Sequence, residues 1–174
     1  MLYLTVMLGF LFFAAVAMTV NEGLWNNTIK LFNIILAGLL GIVVGIPLGT
    51  WVLEQTGKSA EFAWYFVLGG TWGTFAISVV IFGLVAKSAS GVRVRFIPQI
   101  DKFVGPLMGV LVAVMLTSFA AYTLERVPIK AGEWSLREAS DTQKKVMMYA
   151  RAPFRNVLTR FVQAEGADSQ FYKD

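Results

Sequence analysis

Four apolar runs, residues 2–20, 31–53, 62–86 and 103–123, dominate the sequence. Each is near the ~20 residues a helix needs to cross a hydrocarbon core of about 30 Å. A segment inside lipid must satisfy its own backbone N–H and C=O groups, so runs of this length are read as helices. The expected fold is therefore all-α: an integral membrane four-helix protein, residues 1–124, followed by a water-facing helical tail, residues 125–174, that includes an amphipathic helix. The first run also fits a cleavable signal peptide, helped by Ala15 and Ala17. No Lys or Arg precedes it, however, and it is longer than a typical signal core, which favours a retained span. Composition agrees: 56% hydrophobic and 15% charged residues, with a mean hydropathy of +0.63, do not match a soluble domain.

The chain has no Cys and no His. That removes thiol nucleophiles, Ser-His and Cys-His pairs and His-ligated haem. The 11 carboxylates show no cluster at ligand spacing, so neither a metal nor a cofactor is expected. The net charge of +4 sits beside apolar runs rather than in a stripe interleaved with aromatics, which indicates the surface of a lipid bilayer and no nucleic acid.

Glycine spacing is the next informative pattern. Gly41, Gly45 and Gly49 form a ladder four residues apart, with Gly38 just before it and Pro47 inside it. Residues four apart share a helix face, and missing side chains let a neighbouring backbone approach closely. Pro47 should kink or end its helix. Gly69, Gly70 and Gly73 supply a second patch, and Gly105 and Gly109 a third. Helix packing is expected at Gly69 and Gly73 as at the other glycines. Thr71, Thr74 and Ser78 read as hydrogen-bonding glue, or as the lining of a pore in an oligomer.

Lys87 to Gly109, KSASGVRVRFIPQIDKFVGPLMG, joins the two hydrophobic halves and is the densest basic stretch between spans. Arg93 and Arg95 are expected to anchor it at the membrane boundary, on the cytoplasmic side, with both termini on the other. Asp101 is expected to cap the start of the fourth span, where a carboxylate meets free N–H groups. In the tail, Ser135 to Glu138 and Ser140 to Gln143 both fit capping boxes. Pro153 suits the first turn of a last helix, which Gly166 would close. There Phe154, Val157, Leu158, Phe161 and Val162 form one apolar stripe, able to lie on anionic lipid, dock on the chain's own bundle or bind a partner.

The stretch Asp101 to Gly109, DKFVGPLMG, resembles the D-R-x-x-G-x-x-x-G segment of the bacterial CvpA family, the colicin V production proteins. Gly23-Leu24-Trp25, followed by Leu31 and the long small-residue run, is similar to the entrance of that family's second span. Where the family carries arginines in its first loop, this chain has Asn21, Glu22 and neutral residues up to Lys30. The resemblance covers about residues 2–124. It implies a multi-pass protein of the bacterial inner membrane, linked to colicin export, and so to toxin biosynthesis, and to envelope homeostasis. It brings no catalytic residues. The expected function is that of a non-enzymatic scaffold or accessory protein, a homo-oligomer or a subunit of a membrane assembly held by glycine-rich faces. An oligomeric channel or transporter subunit is the alternative.

Overall fold

The computed structural model describes residues 2–57, 62–89, 98–125 and 140–165, apart from the side chains of residues 89, 98–100 and 162–165. The described residues form six helices: α1 Leu2–Thr19, α2 Leu24–Val43, α3 Gly45–Thr56, α4 Ala63–Ala89, α5 Pro98–Leu124 and α6 Asp141–Glu165. Four stretches are long and apolar enough to cross a membrane, with α2 and α3 together forming the second. The protein is all-α with four candidate spans, and this makes it a multi-pass membrane protein. Its outer surface supports this. Phe10, Phe13, Phe32, Ile77, Leu84 and Phe103 are all more than half exposed, the reverse of a water-soluble surface.

The second span begins seven residues earlier than the apolar run suggests, at Leu24, and carries Asn26, Asn27, Lys30 and Asn33 in its first turns. It breaks at Val44. Pro47 accounts for the position: its ring collides with the carbonyl four residues back, which belongs to Val43, the last residue of α2. Hydrogen bonding continues across the break, from Val44 N–H to the Leu40 carbonyl and from Leu48 N–H to that of Val44. The proline therefore bends the span rather than ending it. Gly57, with φ of 60°, closes α3 in the left-handed conformation that glycine adopts without strain.

Close backbone contact sets the helix order. A Cβ on Gly41 would lie 3.0 Å from the Thr71 carbonyl oxygen, and one on Gly45 would lie 2.7 Å from that of Gly70; one on Gly49 would strike the Phe66 carbonyl. These partners descend in number, so α2–α3 runs antiparallel to α4. The partner within the second patch is Gly70, against the Gly45 backbone. Gly69 and Gly73, expected to pack, have nothing within 4 Å of a Cβ and face outward. One glycine in that patch is turned inward by the register of α4 against the ladder.

α1 runs antiparallel to α5, since Thr19 meets Gly109 while Leu4 and Leu8 pack with Ala120 and Ala121. α2 is parallel to α5, with Leu24 beside Asp101 and Gly38 beside Phe119. Phe119 is fully buried at the centre, stacked on Phe75 at 4.5 Å and edge-on to Phe154 at 5.1 Å.

α6 is one helix from Asp141 rather than a shorter one opening at Pro153. Ser140 and Gln143 form the expected capping box, each side chain accepting from the other's backbone N–H. Pro153 is accommodated inside, and the next N–H, that of Phe154, donates to Ser118 Oγ at 2.9 Å. Met147 packs beside Leu4 and Leu8, while Phe154 and Leu158 enter the cluster around Phe119. α6 therefore bridges α1 and α2 across α5, and Arg151 pairs with the almost buried Glu125 at 3.1 Å. Within the expected stripe Phe154 and Leu158 are buried, Val157 packs against the cluster and Phe161 is exposed; the side chain of Val162 lies outside the described residues, as do Gly166 and the segment from Ser135 to Glu138.

The ladder makes a direct stability prediction. Gly45→Leu forces side-chain atoms into the α4 backbone and should lower stability by about 1–3 kcal/mol, the usual cost of overpacking. Gly69→Leu, of identical chemistry in open space, should leave the unfolding midpoint of the detergent-dissociated monomer unchanged. Thermal or denaturant unfolding of the two variants side by side checks the pair.

Candidate functional site: a polar joint where three helices meet

The joint between α1 and α2 holds the densest buried hydrogen bonding in the described chain, and α5 supplies its other half. Asp101 lies within the first turn of α5, which begins three residues earlier at Pro98. Among the described residues its carboxylate reaches another helix. Oδ1 accepts from the backbone N–H of Leu24 at 2.6 Å, so Asp101 caps α2 from across the bundle. Gly23, the residue before that helix, has no side chain to do so. A Cβ there would lie 3.1 Å from both Asp101 oxygens, so the glycine gives the carboxylate room to reach the helix end. The arrangement places a negative charge at a helix N-terminus with unpaired donors, a favourable position for it.

One turn further, Asn27 is fully buried. Its Nδ2 lies 3.0 Å from the Thr19 carbonyl, 3.1 Å from that of Glu22 and 2.9 Å from that of Gly105. One side chain thus gathers carbonyls from the end of α1, from the joint and from α5. Thr19 Oγ1 lies 2.8 Å from the Ala15 carbonyl and 2.9 Å from the Gly109 carbonyl, offering its proton to its own helix or to α5. Gly105 and Gly109 make this approach feasible. A Cβ on Gly105 would sit 3.1 Å from the Glu22 carbonyl, and one on Gly109 would sit 2.9 Å from the Thr19 backbone. Glu22, in the joint, pairs with Lys30 one face over on α2.

The chemistry of this joint is that of a fastener. The Asp101 carboxylate engages a backbone amide, the Asn27 amide engages backbone carbonyls, and Thr19 donates to backbone. No Ser, Thr or Lys nucleophile is hydrogen-bonded to Asp101 among the described residues. No group of three carboxylates gathers for a metal among them either. Thr71, a candidate pore-lining residue, is buried and donates to the Val67 carbonyl of its own helix at 2.8 Å; Ser78 is buried too.

The expected sites therefore separate. Gly105, Gly109 and Asp101 come together at this joint, whereas Gly41, Gly45 and Gly49 pack further along α2–α3. Arg93 and Arg95 lie outside the described residues. Sequence reading missed Asn27, whose signal was available: a second amide directly after Asn26, at the head of an apolar run, where an unpaired polar group would be costly.

Searches of the chain against protein-family models, the curated proteins and the solved structures find no match.

Two substitutions separate cap from clamp. Asp101→Asn keeps an acceptor for Leu24 N–H and should cost less than about 1 kcal/mol. Asn27→Leu removes the donor shared by three carbonyls and should cost about 1–3 kcal/mol. Unfolding in detergent, with both variants inserted at normal levels, measures the difference.

Proposed function

We propose that this chain is a non-enzymatic scaffold or accessory protein of the bacterial inner membrane, acting in secretion or envelope homeostasis as its likeness to the CvpA family implies. The observation that carries the reading is how the polar side chains of the joint are used. Asp101, Asn27 and Thr19 are each committed to backbone, and what they create is a stiff connection between three helices rather than a reactive constellation. A stiff four-span body with a tail helix folded onto it suits a part that holds others in place.

Association with a second copy or another subunit would use the small-residue face that the fold leaves open. Five of the seven glycines first assigned to packing are consumed within the chain. Gly69 and Gly73 remain, one helical turn apart on α4, with the exposed Ile77 one turn further on. Gly69 also borders an apolar groove between α1 and α4 that includes Phe10, Leu11 and Trp72. In lipid, such a face gains dispersion contacts with a second helix that acyl chains match poorly. The alternative, an oligomeric channel or transporter subunit, would need polar lining contributed between copies.

Because the chain has no Cys, a single Ile77→Cys substitution gives a clean crosslinking probe. Oxidation in native membranes should yield a disulfide-linked dimer or a crosslink to a partner, and Gly73→Leu should reduce its yield several-fold. A strictly monomeric chain that retains no partner after gentle solubilisation would defeat the scaffold reading. Ion or solute flux through liposomes containing the purified protein would favour the channel instead.

A further inference from the structure

At the same end of the bundle as the polar joint, on its outer side, α2 and the last turns of α4 enclose a pocket of about 510 Å³. Asn26, Lys30 and Asn33 line it from α2, Gly83 and Lys87 from α4, and Glu22 from the joint. All of these but Glu22 belong to helices that count as candidate spans. Lys30 lies six residues into α2, about 9 Å along its axis. Polar and ionisable groups at such a place are costly unless something pairs with them.

Their pairing within the chain is incomplete. Glu22 takes one of the three ammonium protons of Lys30. Lys87 has no carboxylate partner among the described residues, and the amides of Asn26 and Asn33 make no hydrogen bond among them. A lysine alone can extend its ammonium towards water. Asn26, exposed in the first turn of α2, reaches water as well, whereas the half-buried Asn33 lies deeper and has its amide left to offer to a ligand that accepts hydrogen bonds. Two ammonium groups and one carboxylate leave a net single positive charge, which one phosphodiester balances. Gly83 leaves the pocket its volume, since a Cβ there would meet nothing within 4 Å. Beside the pocket the two helices continue as exposed apolar surface, Phe32 and Leu36 on α2 and Val80 and Leu84 on α4. A ligand seated here thus has cations and amides around its head and an apolar track for its tails.

We infer that this pocket holds the phosphodiester of a glycerophospholipid headgroup, with Lys30 and Lys87 as its charge partners, Asn26 and Asn33 as its hydrogen-bond donors and the acyl chains lying along α2 and α4. The site goes beyond the scaffold reading and stands whether or not the chain associates with others.

Native mass spectrometry of the full chain, purified in mild detergent and mixed with phosphatidylglycerol, tests it. The protein should retain the phospholipid and not diacylglycerol, which has the same tails without the phosphate. Gly83→Leu, which fills the pocket without altering charge, and Lys87→Gln should each lower the retained fraction by about tenfold, the loss of one charge-assisted contact or its steric equivalent. Gly9→Leu adds the same bulk in open space on α1 and should bind as the unaltered protein does. Should Gly83→Leu fail to fold, Lys87→Gln and Asn33→Leu carry the test. Equal retention of diacylglycerol, or unchanged phospholipid binding in folded pocket variants, would overturn the inference. So would complete displacement of the lipid by millimolar inorganic phosphate, which would make the site one for a free anion.

Discussion

Backbone meeting backbone along the α2–α3 ladder is the contact on which the remaining packing depends. In lipid there is little hydrophobic gain in bringing helices together, so association rests on dispersion and on the few hydrogen bonds available. Gly41, Gly45 and Gly49 remove every side chain on one face for three turns, and α4 answers with Gly70 and the carbonyls of Phe66 and Thr71. That contact fixes the rotation of α4. It carries Phe75 inward to stack on Phe119, and it leaves Gly69 and Gly73 on the outside. Pro47 works with the ladder, because the bend at Val44 falls between Gly41 and Gly45, and the approach to α4 tightens beyond it towards Gly49.

Phe119 then sets where the tail sits. Gly38 presents a notch on α2, Phe154 fills it, and Phe119 and Tyr122 close around the ring. The Ser118 hydroxyl meets the Phe154 N–H directly after Pro153, so the proline and the docking site are matched in register. The ion pair of Arg151 with a nearly buried Glu125 lies one turn away. Leaving Glu125 there without Arg151 would strand a desolvated charge, so the pair favours this docking over others that would separate it.

The four spans and the glycine ladder were legible in the sequence because each depends on local spacing: run length for one, four-residue periodicity for the other. What escaped depends on residues far apart. The apolar run begins at Leu31, yet the helix begins at Leu24, because the missing cap comes from Asp101, 77 positions away. Asp101 lies in the first turn of α5, as expected, and what the sequence hid is that it also serves α2. Gly69, Gly70 and Gly73 are alike in size, and only the pairing with Gly45 distinguishes the one that packs. Pro153 marks helix starts in isolation, and nothing near it in sequence reveals that Ser118 receives the following N–H. The segment Asp101 to Gly109 forms the joint, and the roles of Asp101, Gly105 and Gly109 there give its spacing a physical reason.

The polar residues of α2 divide by face. Asn27 turns inward and shares its Nδ2 protons among three carbonyls that tie α1, α2 and α5 together, while its Oδ1 is buried with no hydrogen-bond partner among the described residues. Asn26, Lys30 and Asn33 turn towards α4 and find one carboxylate among them. A helix selected only to span would carry Leu or Ala at those positions, each a better helix former than Asn and free of a desolvation cost. Retaining three polar side chains on that face therefore weakens the span as a membrane anchor. Glu22 and interfacial water offset part of that cost, and at the edge of a bilayer the phosphate of the lipid is the anionic acceptor that can offset the rest.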